Sequence, residues 1–68
     1  MKINLTIQNS EQTLSIEVTD GSTLGALSKV EQLVHALSAA GYEPNPFPIM
    51  KVAAENIGMT IVSYISPG

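Results

Sequence analysis

The apolar residues change their period near Asp20, and that change limits the chain to folds in which a hairpin is followed by a helix. Ile3, Leu5 and Ile7 alternate with Lys2, Asn4, Thr6 and Gln8, and Leu14, Ile16 and Val18 alternate with Thr13, Ser15, Glu17 and Thr19. A period of two puts every second side chain on one face of a strand. From Ala26 onward the apolar positions are Ala26, Leu27, Val30, Leu33, Val34, Leu37 and Ala40, the spacing of a helix with one buried stripe. The spacing predicts strands over Lys2–Gln8 and Thr13–Thr19, joined by the polar residues Asn9 to Gln12. It predicts a helix from about Leu24 to Ala40, with Thr23 as its N-cap and Gly41 in a left-handed position after its end.

A second punctuation follows at Tyr42–Pro48, where Pro44, Pro46 and Pro48 alternate with Asn45 and Phe47. Each proline biases the residue before it toward extended conformations, so a stiff polyproline-like connector is expected here. Ile49–Ile57 reads as a helix: Ile49, Met50, Ala53 and Ile57 share a face, Pro48 suits the first helical position, and Gly58 supplies a stop. Read as a strand, the same segment would give the order ββαββ. Met59–Ile65 reads as a strand in which Met59, Ile61 and Ile65 alternate with Thr60, Val62 and Tyr64. Both sets are largely apolar, the pattern of a strand buried on both faces or lying at an interface. Ser66, Pro67 and Gly68 end it. The expected fold is therefore α+β, a small antiparallel-rich sheet of order ββααβ with its helices on one face, in a single domain spanning residues 1–68.

Size makes this domain marginal. Sixty-eight residues bury only about 60% of their unfolded surface, and such chains usually gain a disulfide, a metal or an oligomeric contact. With no cysteine and one histidine, neither a disulfide nor a conventional zinc site is available within one chain. No metal or cofactor is expected, and a homo-oligomer is. Only 13% of the residues are charged, against about 25% in an average domain. The net charge is −3, with three scattered lysines and no arginine, so a nucleic-acid partner is not expected. No apolar run approaches a membrane span, and the Met-Lys start runs directly into a strand without a signal-peptide pattern. A cytoplasmic protein with no membrane partner is the expectation.

Three functional readings follow, and the first is preferred. It is a non-catalytic protein-interaction module of adaptor or inhibitor type, acting on another protein and on copies of itself. Size alone suggests a phage or bacterial accessory protein. Its interface would draw on Tyr42, Phe47, Met59, Val62 and Tyr64, because aromatic residues are enriched at interface hot spots and an apolar last strand is a template for pairing. The second reading is a binder of a small anionic ligand, such as a nucleotide, between subunits. Asp20, Gly21, Ser22 and Thr23 precede a helix whose N–H groups can hold an anion. The third and least favoured is an enzyme using His35 with Glu31, one helical turn apart. No catalytic residue is assigned, and the chain is not expected to be an enzyme.

Overall fold

The computed structural model describes residues 1–67. In chain order the elements are strand β1 (Lys2–Gln8), strand β2 (Thr13–Thr19), helix α1 (Thr23–Ala40), helix α2 (Phe47–Ile57) and strand β3 (Thr60–Ile65). The three strands form one antiparallel sheet in the order β1-β2-β3. Both helices pack on one face of it: α1 lies chiefly over β2, and α2 over β2 and β3. The order is ββααβ, and residues 49–57 are helical as the spacing predicted. The thinnest dimension, 17 Å, leaves room for one sheet and one layer of helices about 10 Å across.

The hairpin follows from its sequence. The Asn9 side chain accepts hydrogen bonds from the backbone N–H groups of Glu11 and Gln12 at 2.8 and 2.7 Å, the local bonding that makes Asn a turn former. The register pairs Lys2 with Thr19 and Gln8 with Thr13 without interruption. Because β2 is central, Leu14, Ile16 and Val18 are fully buried. Their neighbours Ile3, Leu5 and Ile7 on the edge strand β1 are only half-buried. The core is completed by Ala26, Leu33 and Ala40 of α1, by Phe47, Met50 and Ala54 of α2, and by Met59.

Several local expectations are corrected. Ser22, not Thr23, caps α1: its backbone is extended and its hydroxyl accepts from the Gly25 N–H at 3.0 Å. Gly41 is right-handed, at φ −63° and ψ −16°, because the chain continues turning and Glu43 N–H bonds the Ala40 carbonyl at 3.0 Å. The proline connector is shorter than expected. Pro46 adopts helical angles, its carbonyl accepts the first helical bond from Met50 N–H at 2.8 Å, and α2 starts at Phe47. Prolines are tolerated there since the first turn of a helix has no intrahelical use for their missing N–H groups. Asn45 supplies what remains, its side-chain oxygen accepting from Phe47 N–H at 3.3 Å. The stop at Gly58 is as expected: φ is +100°, with Gly58 N–H bonded to Glu55 and Met59 N–H bonded to Ala54, the paired closure of a left-handed helix end.

Strand β3 departs most from its sequence reading. Leu14 pairs with Tyr64 and Ser15 with Ser63, but Ile16 pairs with Ile61. Val62 is therefore an extra residue, a β-bulge opposite the Ser15–Ile16 step. The bulge turns Ile61 and Tyr64, three apart, onto the same inner face, and it leaves Val62 and Ile65 59% and 63% exposed. The strand is not buried on both faces; its apparent double apolarity is one inward set interrupted by a bulge. Ser66 and Pro67 follow outside regular structure, and Gly68 lies outside the described residues.

Candidate interaction surface

The five residues expected at an interface divide between core and surface. Phe47 and Met59 are buried in the chain's own core. Tyr64 is half-buried; its ring stacks on Phe47 with centroids 6.2 Å apart and planes within 5°. Its hydroxyl donates to the Gln12 side-chain oxygen, and Gln12 in turn donates to Asn45 at 3.1 Å. This chain of bonds ties the hairpin loop, the connector and β3 together. Tyr42 and Val62 stand exposed, on the connector and on the bulge.

A further apolar surface runs along β1 and α1. Because α1 sits chiefly over β2, it leaves an open groove of about 180 Å³ beside β1, lined by Leu5, Ile7, Val30, Leu33, Val34 and Leu37. Leu27 and Val34, on the flank of α1 that borders this groove, are 50% and 56% exposed. The periodicity placed these residues on the helix stripe but gave no width for the sheet beneath it. Three strands do not cover the stripe, and this is the part of the surface that sequence reasoning missed.

The start of α1 holds an anion already, the chain's own. The Asp20 carboxylate accepts from the Ser22 N–H at 2.9 Å and from the Ser22 hydroxyl at 3.2 Å, and it pairs with Lys29 at 3.3 Å. The Ser22 N–H bond, followed by the Lys29 contact, lowers its pKa below the ordinary carboxylate value of 3.8. Gly25 is required by this arrangement: a Cβ there would fall against the Asp20 carboxylate. Asp20 and Ser22 are thus engaged with each other, while Gly21 and Thr23 stand exposed beside them. His35 and Glu31 do meet, at 3.6 Å, but on the open side of α1 with both side chains more than three-quarters exposed. Among the described residues no cluster of three or more His, Cys, Asp or Glu side chains is placed to hold a metal. No helix among the described residues is long and apolar enough to cross a membrane.

No protein-family model, curated protein or solved structure matches the chain.

Proposed function

We propose that this chain is a non-catalytic protein-interaction module that acts as a homo-oligomer and, in that form, as an adaptor or inhibitor of another protein. The observation that carries this reading is the apolar groove between β1 and α1 with its exposed flank at Leu27 and Val34. A small core gains most from covering such a surface, because each buried aliphatic side chain contributes about 1.5–3 kcal/mol, a large share of the margin of a domain this size. Low charge supports the same reading, since none of the groove's lining residues is ionisable.

Light scattering on the purified chain tests it. The expected solution mass is a multiple of the 7.2 kDa of one chain. A mass of one chain across concentrations up to about 1 mM, the range in which even weak association registers, overturns the homo-oligomer.

A further inference from the structure

We infer that β1 is the self-association edge, and that a second copy of this chain pairs with it antiparallel about a two-fold axis at Leu5. This rests on the homo-oligomer reading above and assigns it a surface and a register.

Two strand edges are free, and they differ. The edge of β3 carries the Val62 bulge, a device that twists an edge away from further pairing. The edge of β1 has no such protection. It is seven residues long and regular, has no proline or glycine, and carries one charge, Lys2, at its end.

The groups β1 offers follow from its pairing with β2. At the two ends of the hairpin, Asp20 N–H bonds the Met1 carbonyl at 2.9 Å and Asn9 N–H bonds the Gln12 carbonyl at 3.0 Å. Hydrogen-bonded pairs alternate along an antiparallel ladder. Ile3, Leu5 and Ile7 therefore turn their backbone groups toward β2, and Lys2, Asn4, Thr6 and Gln8 turn theirs outward to the open edge.

The sequence of β1 is self-complementary about Leu5. With the axis there, Asn4 meets the partner's Thr6 and Lys2 meets the partner's Gln8, all four through outward-facing backbone groups. On the inner face Ile3 meets the partner's Ile7, and Leu5 meets the partner's Leu5. This register pairs all seven residues, and no like charges oppose each other. Apolar faces opposite one another are the favourable cross-strand pairs, and an isologous two-fold contact closes on itself rather than growing into a fibre.

The helices permit it. With α1 over β2, the two α1 axes would stand about three strand spacings apart, roughly 14 Å. That is wider than the 8–10 Å of direct helix packing. The gap is the two grooves joined, filled by Leu5, Ile7, Val34 and Leu27 from both copies. A standard interface takes about 800 Å² from each partner, close to a fifth of this chain's 4346 Å² and a reasonable share for one side of a slab.

Two variants test the register. Thr6→Pro removes an outward N–H while leaving the β1–β2 ladder intact, since prolines are accepted on a free edge. Leu5→Cys places a thiol on the axis. Directly opposed residues that do not exchange hydrogen bonds have Cα atoms about 4.5 Å apart, within disulfide reach. Because the chain has no other cysteine, any cross-link reports this contact alone. The expected result is a wild-type mass of two chains, a Thr6→Pro chain of unchanged far-ultraviolet dichroism that is monomeric at tenfold higher concentration, and a covalent dimer of Leu5→Cys on mild oxidation. If Thr6→Pro fails to fold, the cross-link decides. A wild-type dimer or larger assembly in which Leu5→Cys does not cross-link overturns the β1 axis and leaves the homo-oligomer reading standing on another surface, such as a head-to-tail contact from β1 to β3. A monomeric wild type overturns both.

Discussion

At the scale of single residues the fold is fastened at two places, and they respond to different perturbations. The first is Asp20, which holds Ser22 and Lys29 and lies at the turn where the strand period gives way to the helix period. Its pKa is lowered in the folded protein, so its contribution is present above the ordinary carboxylate value and is lost as pH falls through the lower folded value. Asp20→Asn is therefore expected to melt below the wild type at neutral pH, and the two melting curves should converge as pH falls below 3.8. A gap that persists unchanged into strong acid would assign the loss to something other than the charge. Gly25→Ala adds a coupled test. Alanine gains about 1 kcal/mol of helix propensity but displaces the carboxylate, so in the Gly25→Ala background Asp20→Asn should have little further effect. The second fastening is Phe47 against Tyr64. Phe47→Ala should cost about 3–5 kcal/mol, as large-to-small changes at buried aromatics do, which leaves at most about 2 kcal/mol of a margin near 5 kcal/mol. Tyr64→Phe keeps the stack and removes only the bond to Gln12, which water can replace, so about 1 kcal/mol is expected. Urea unfolding of the two variants separates the roles; equal losses would show that the hydroxyl, not the ring stack, carries the contact.

At the scale of elements, legibility followed the strength of the periodic signal. Both hairpin strands were readable to the residue, since a clean alternation admits one inward face. The helices were readable in place but not at their first residues, because capping depends on which of two adjacent hydroxyls reaches the first free N–H. Gly25, a poor helix former in the first turn of α1, stands there because the Asp20 carboxylate fills the space a Cβ would take. Strand β3 was misread for a physical reason. A bulge inserts one residue into a period-two pattern and leaves no distinctive residue type to mark it, so inward Tyr64 was placed on the wrong face. That account makes its own prediction. Deleting Val62 restores an uninterrupted period, with Ile61 still inward, Ser63 outward and Tyr64 inward. The deletion is expected to fold with a loss of about 1 kcal/mol or less, as for changes away from the core. If thermal unfolding instead shows a loss as large as that of Phe47→Ala, the bulge is a required kink in the sheet rather than a neutral insertion.

At the scale of the whole molecule, what the sequence left open is the same as what the fold leaves uncovered. Periodicity assigned an apolar stripe to α1, but the width of the sheet beneath it was a property of topology. With β2 central and only one strand on either side, β1 is an edge and its inner residues remain half-buried. The interface residues read from the sequence were chosen for aromaticity or for their place on the apolar last strand, and two of them, Phe47 and Met59, were drawn into the core because a chain with three aromatics has few large side chains to fill it. Part of the residual apolar exposure falls instead on aliphatic residues beside the other edge, Leu27 and Val34. If copies of the chain cover that edge, stability and assembly are linked: a contact made only by folded chains raises the folded population by mass action. The melting temperature should then rise with protein concentration for the wild type, by several degrees per hundredfold, given about 2.7 kcal/mol per hundredfold excess over the dissociation constant. The same titration of Val34→Glu, which puts a charge on the groove flank without touching a buried side chain, should be flat, with a melting temperature close to that of the dilute wild type. A wild-type melt independent of concentration, in a sample that light scattering shows to be associated, would mean that the contact forms equally well between unfolded chains, and the groove would then have no part in it.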